Sequence, residues 1–198
     1  RSQDGLSLLS EDGLNIDLRG KDGGLDKIAS LIIERFSSDE ERLVAATLIL
    51  CQQSVMVSSG TGARISRPLG PVGILRNGAA FCGGYGELLA GLVSRIKNSR
   101  GEYFHAAVVN YVDGPVNTYG WPHHWLAGVS YGDGMTLIDS ELGTVFLDPE
   151  TGKLLTVQEL IKNPELADRT SVGLSQYFAN RKVSDFHVRE YGDLWEWR

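Results

Sequence analysis

Cys82 stands where a loop, Arg76-Asn77-Gly78-Ala79-Ala80-Phe81, meets a stretch with helical patterning. A helix N-terminus carries a partial positive charge and unpaired N–H groups, and both favour a thiolate over a thiol. The same N–H groups can hold an oxyanion. Gly83, Gly84 and Gly86 follow at once. Each costs an exposed helix roughly 1 kcal/mol relative to Ala, so a helix that keeps them is expected to need close approach of another backbone or of a substrate. A cysteine nucleophile needs a base, usually distant in sequence. Of the four histidines, His105 and His187 lie in apolar surroundings and read as core residues. His123 and His124, followed by Trp125, open a strand whose hairpin mate ends in Asp139. A carboxylate there can accept an imidazole N–H and hold the ring, the third role of a triad. The chemistry expected of Cys82, a histidine and Asp139 is acyl transfer through a thioester.

Two arguments bear on which histidine is the base. The pattern H-x-W selects His123. Hairpin register depends on the turn: a two-residue Gly132-Asp133 turn puts even positions, His124 among them, on the face of Asp139. A three-residue Gly132-Asp133-Gly134 loop shifts the parity to His123. The reading leans to His123, with the other histidine flanking the cleft or facing solvent. Asn77, Gln52, Gln53 and the indole of Trp121 are candidate oxyanion donors by residue type. Arg76 and Tyr85 are candidates to line the substrate path, and Trp125 joins the substrate-binding set with Asn77, Tyr85 and Trp121. A metal held by His123, His124 and Asp139 is not expected, since adjacent strand residues point to opposite faces.

The elements that position these residues follow from periodicity. Residues 1–24 read as an arm with a short strand at Leu14–Leu18, and 25–198 as a single domain with its catalytic core at about 72–150. Leu25, Ile28, Ala29, Ile32, Ile33 and Phe36 recur at helical spacing. Ser38 with Glu41 forms a capping box opening a second helix, expected to run to Val57. Ser58–Pro71 reads as a loop, and its Gly60-Thr61-Gly62 lacks the spacing of a phosphate loop. A helix is expected over Cys82–Lys97, carried by Leu88, Leu89, Leu92, Val93 and Ile96. Strands follow at Phe104–Val112, Trp125–Tyr131, Met135–Asp139 and Thr144–Leu147, then a short helix at Val157–Lys162. The aromatic tail, with Phe186, Tyr191, Trp195 and Trp197, is expected to pack onto the domain. Helices first and antiparallel strands after give an α+β class.

The segments Phe81-Cys82-Gly83-Gly84-Tyr85-Gly86-Glu87-Leu88-Leu89, His123-His124-Trp125-Leu126 and Gly134-Met135-Thr136-Leu137-Ile138-Asp139 resemble, in order and spacing, the transglutaminase-like superfamily. The resemblance spans roughly Asn77 to Asp148. It implies a papain-like α+β core, with N-terminal helices and a nucleophile helix packed on an antiparallel sheet. It also implies a cysteine protease, amidase or acyltransferase acting on a peptide, protein or glycopeptide, with no cofactor. Hydrolysis of a peptide or side-chain amide is the expected reaction. A non-catalytic peptide- or glycan-binding module on the same fold is the alternative. The chain departs from the pattern at Ala80, where Gly is usual, at Met135, where an aromatic is usual, and at Ala127-Gly128, where an acidic residue is common. A shallow cleft lined by Gly83, Gly84 and Gly128 is expected.

Bulk properties narrow the partners. The chain has 198 residues, 42% hydrophobic and 22% charged, with a formal net charge of −6 and scattered basic residues. Phosphate binding needs a concentrated basic face, so nucleic acid is not expected as a partner. No apolar run reaches the ~20 residues of a membrane span, and no membrane insertion is expected. Cys51 and Cys82 supply no disulfide framework and no zinc-finger spacing, which leaves the compartment open.

Overall fold

The structure is a computed structural model and describes residues 7–9, 15–17, 24–52, 56–57, 71, 74, 79–80, 82–112, 123–168, 182 and 186–189. Two short strands, β1 (Ser7–Leu9) and β2 (Asn15–Asp17), pair antiparallel, so the arm carries a strand pair rather than one strand. Helices α1 (Gly24–Arg35) and α2 (Asp39–Gln52) follow. The capping box forms at the start of α2. Glu41 N–H donates to Ser38 Oγ at 3.2 Å, and Glu41 Oε2 accepts from the Ser37 and Ser38 N–H groups. Arg42 is buried and clasps two helix ends. Its Nε donates to the Phe36 carbonyl at 2.8 Å and its Nη1 to the Lys97 carbonyl at 2.7 Å.

The helix expected to continue to Val57 stops at Gln52. Met56–Val57 form β3, which pairs in parallel with β4 (Ala79–Ala80). A sheet ladder there replaces the helical hydrogen bonds. Helix α3 (Cys82–Val93) begins two residues after β4 ends. It ends short of Lys97 because Arg95 and Ile96 bond back three residues, to the Leu92 and Val93 carbonyls, which tightens the last turn. Pro71 and Ile74, at the end of the expected 58–71 loop and just beyond, are buried; the rest of that loop lies outside the described residues.

The main sheet is antiparallel throughout, in the order β8 (Thr144–Val145), β7 (Gly134–Asp139), β6 (His123–Tyr131), β5 (Ala106–Val112), β9 (Phe186–Arg189). The class is α+β. Val108, Ala127, Val129 and Ile138 face a core shared with α1, α2 and α3. Val109, Leu126 and Leu137 face a second core with Phe146, Leu155, Phe186 and the short helix α4 (Val157–Lys162). Thr156 caps α4 in a reciprocal box with Glu159, and α5 (Glu165–Asp168) follows. Phe186 brings the tail onto this face, as its aromatic content predicts; Tyr191, Trp195 and Trp197 lie outside the described residues. No helix among the described residues is long and apolar enough to cross a membrane.

Two glycines decide the packing. A Cβ on Gly86 would lie 3.1 Å from the Leu126 carbonyl oxygen and 3.3 Å from Val108 Cγ1, so its absence lets α3 sit against the β6 backbone. Gly128 was expected to line a cleft, but it is buried. A Cβ there would meet Val109 Cγ2 at 2.5 Å and the Met135 sulfur at 2.6 Å. Met135, the residue that replaces an aromatic in the resemblance, occupies that space. His105, read as a core histidine, is exposed, since β5 begins only at Ala106.

Gly86→Val forces its methyl groups into strand backbone that cannot yield. It is expected to lower stability by about 1–3 kcal/mol, the usual cost of overpacking. A urea unfolding midpoint no lower than that of the parent chain would contradict this account of the α3–β6 contact.

Candidate functional site

Register decides the identity of the imidazole. Tyr131 pairs with Gly134 across a two-residue turn in which Gly132 has φ 55°, and Ala127 pairs with Ile138. The three-residue loop that would favour His123 does not form. Even positions of β6 therefore share a side with Asp139, and His124 Nε2 lies 2.7 Å from Asp139 Oδ2. The lean to His123 gives way to His124 for this physical reason. The side chain of His123 lies outside the described residues, although its backbone pairs with Val112.

Asp139 is nearly buried, its side chain 6% exposed, while His124 is 23% exposed. The second oxygen of Asp139 is also used. Oδ1 accepts from the N–H groups of Glu141 at 2.8 Å and Leu142 at 3.2 Å, which turns the chain sharply after β7. An ionised carboxylate only accepts, so His124 Nε2 carries a proton and Nδ1 is the nitrogen left for another partner. Cys82 is the other side chain that acts on the imidazole, its sulfur within 4.8 Å of a ring nitrogen. Cys82 is the first residue of α3 and half-buried. Ser140 Oγ donates to the Tyr85 carbonyl at 3.4 Å, tying the turn after β7 to the first turns of α3.

The imidazole is pulled in two directions. Burial disfavours its charge and is the largest single influence. The hydrogen bonds to Asp139 and Cys82, with the negative charge of each, outweigh burial and hold the pKa up at about 10. The arrangement favours an imidazolium beside the sulfur.

Glu141 is a further member of the site that the sequence reading missed. One ring nitrogen of His124, the Cys82 sulfur and one Glu141 carboxylate oxygen all lie within 4.8 Å of one another. Glu141 Oε2 is buried without a hydrogen-bond partner among the described residues. Burial raises the Glu141 carboxyl above its ordinary range, against the pull of His124, and Asp139 raises it further. An acidic residue just past a strand end ordinarily reads as solvated. The only signal was its place two residues beyond an Asp that can bond the backbone ahead of it.

The expected substrate-binding residues divide. Trp125 is half-buried, and its ring lies 3.7 Å from where a Cβ on Gly83 would be, beside the first turn of α3. Tyr85, expected to line the substrate path, is 7% exposed and belongs to the core. Its helix position turns the ring inward, and burial, then Glu141 and Cys51, push its hydroxyl up to about 12. Asn77, Arg76, Trp121 and Gln53 lie outside the described residues, as does the side chain of Gln52. Both cysteines are free thiols. Cys51 packs where Gly143, at φ 67°, has no side chain: a Cβ there would lie 2.9 Å from the Cys51 sulfur.

Compared with known proteins, the chain matches no family model, no curated protein and no solved structure.

A histidine whose pKa is raised on folding stabilises the native state fully below its unfolded value of 6.5 and loses that contribution as pH rises toward about 10. Native stability is therefore expected to fall across this window on account of His124. Asp139→Asn removes the carboxylate but keeps an oxygen for the turn. An imidazole NMR titration is expected to show a His124 midpoint well above 6.5 in the parent chain and a clear drop in Asp139→Asn. A His124 midpoint near 6.5 in both would refute the assigned electrostatics.

Proposed function

We propose that this chain is a cysteine-dependent acyl-transfer enzyme of the transglutaminase-like type, with a papain-like core, that hydrolyses a peptide or side-chain amide through a thioester. The reading rests on one juxtaposition. A thiol at the N-terminus of α3 meets an imidazole whose other nitrogen is held by a buried carboxylate. On this reading residues 25–198 act as one domain, with the catalytic core at about 72–150.

Each group has a role suited to its position. The Cys82 sulfur, ionised beside the His124 imidazolium, attacks the amide carbon. The negative charge that develops on the carbonyl oxygen meets the N-terminal N–H groups of α3. His124 delivers the Nδ1 proton to the leaving nitrogen as the C–N bond breaks, and an acyl-thioester remains. A water then attacks the thioester carbon, giving up a proton to Nδ1. The C–S bond breaks to release the carboxylic acid. Asp139 accepts the hydrogen bond from Nε2–H throughout, without taking its proton, and keeps the ring turned toward the sulfur. Trp125, beside Gly83, offers an apolar wall for the chain that carries the amide. The substrate is accordingly a peptide, a protein or a glycopeptide.

Iodoacetamide tests the reading before any substrate is known. Labelling of Cys82 is expected to persist near pH 6, where a free thiol of pKa ~8.5 is almost wholly protonated. His124→Ala is expected to restore the profile of an ordinary thiol. On a responsive amide substrate the same change should cost about 10²–10⁴-fold in kcat, the usual worth of general acid–base catalysis. Cys82→Ser should leave no thioester to trap. Labelling no faster than that of a free thiol across the pH range would sink the proposal and favour a binding module on the same fold.

A further inference from the structure

The buried Oε2 of Glu141, without a hydrogen-bond partner among the described residues, asks for a positive group, and the three donors gathered here differ in kind: a thiol sulfur, an imidazole nitrogen and a carboxylate oxygen of Glu141 itself. That is the donor set of a tetrahedral zinc site with one open position, three protein ligands leaving the fourth to water. Zn–S of about 2.3 Å and Zn–N and Zn–O of about 2.0–2.2 Å put neighbouring tetrahedral ligands roughly 3.3–3.7 Å apart. The donors here, all within 4.8 Å of one another, need to close by little more than about an ångström.

The surroundings fit the same ion. A metal-bound histidine usually donates its other ring N–H to a carboxylate, which fixes the tautomer and raises the basicity of the ligating nitrogen. Asp139 already holds His124 Nε2 in that way, leaving the Nδ1 lone pair for the metal. Charge also balances. A divalent ion with one thiolate and one carboxylate forms a neutral first shell, which a half-buried site accepts at little electrostatic cost. A soft thiolate with an imidazole selects zinc over magnesium or calcium, which prefer oxygen ligands throughout.

We propose that Cys82, His124 and Glu141 form a zinc-binding site that, when loaded, holds the proposed nucleophile in an unreactive state. Loading forms Zn–S, Zn–N and Zn–O bonds and releases to solvent the proton shared by the sulfur and the imidazole, together with any proton carried by Glu141. No electron is transferred. Removal of zinc reverses the step and takes those protons back. The silencing depends on the thiol reading above, whereas binding of the ion does not.

The full chain, reduced and stripped of metal, is titrated with Co²⁺ as a spectroscopic probe and then with Zn²⁺. One equivalent of Co²⁺ is expected to give the near-ultraviolet band of a thiolate-bound ion with tetrahedral visible bands, and Zn²⁺ to erase them. Cys82→Ser should lose the near-ultraviolet band. Glu141→Gln, with folding checked by circular dichroism, should weaken Zn²⁺ at least tenfold, and Asp139→Asn about 10–100-fold, as loss of an outer-shell partner does. One equivalent of Zn²⁺ should also slow iodoacetamide labelling of Cys82, and less so in Glu141→Gln. Fast labelling without any cobalt spectrum would overturn the metal site and leave the thiol reading standing. A cobalt spectrum with Cys82 no more reactive than a free thiol would establish the site but overturn its silencing role and the thiol reading with it. Equal Zn²⁺ affinity in folded Glu141→Gln would overturn the three-ligand assignment.

Discussion

The carboxylate of Asp139 has two oxygens, and the fold commits each to a different task. Oδ1 receives the N–H groups of Glu141 and Leu142 and bends the chain away from the sheet. Oδ2 receives His124 Nε2. A carboxylate this deeply buried is costly unless its charge is matched and its lone pairs are filled. The turn, the imidazole and the burial are therefore one interlocked solution. The turn supplies backbone donors that let the acid be buried, and the acid fixes the ring. The same turn carries Ser140, which reaches the Tyr85 carbonyl of α3, and Glu141, which arrives beside Cys82. Strand end and helix start are held in common by a stretch of a few residues.

Electrostatically the site is unbalanced in favour of negative charge. Asp139, Glu141 and Cys82 gather about a single imidazole at the start of α3, whose N-terminus carries a partial positive charge. The imidazole responds by holding its proton despite burial, and Glu141 by resisting ionisation. A bound divalent cation would draw these donors into their deprotonated forms. The proposed thiol chemistry and the proposed ion therefore compete for the same three groups.

Much of this was legible before any coordinates, because the signals were local. The capping box at Ser38 and the apolar stripe of α1 are set by neighbours a few residues apart, as is the presence of a hairpin turn at Gly132-Asp133-Gly134, though not its length. Helix α3 could be recognised from the stripe Leu88, Leu89, Leu92, Val93 and Ile96, despite the glycines after Cys82. The reason for Gly86, its approach to the Leu126 backbone, needed the partner strand. The pairing of Met56–Val57 with Ala79–Ala80 joins two-residue strands far apart in the chain, and no periodicity exists over so short a run. Gly128 read as a cleft residue because nothing in the sequence shows that Met135 and Val109 fill the space above it. Glu141 was invisible for a related reason: its relation to Cys82 exists only once α3 and the hairpin meet.

The histidine pair shows how a distant, ordinary feature settles chemistry. In a strand, neighbouring side chains alternate faces, so a shift of one residue exchanges every inward group for an outward one. The pattern H-x-W carries no information about that parity, since it is read along one strand alone. The Gly132-Asp133 turn does, because its length fixes which residues of β6 stand opposite which residues of β7. Gly132 at φ 55° makes the two-residue form accessible, and the apolar positions Leu126 and Leu137 on one face, with Ala127 and Ile138 on the other, make any slip expensive by exposing both cores. The imidazole that meets Asp139 is thus chosen at the far end of the hairpin, by packing remote from the site. Hydrophobic register along β6 and β7 and the meeting of His124 with Asp139 are the same constraint acting at two ends of one strand pair.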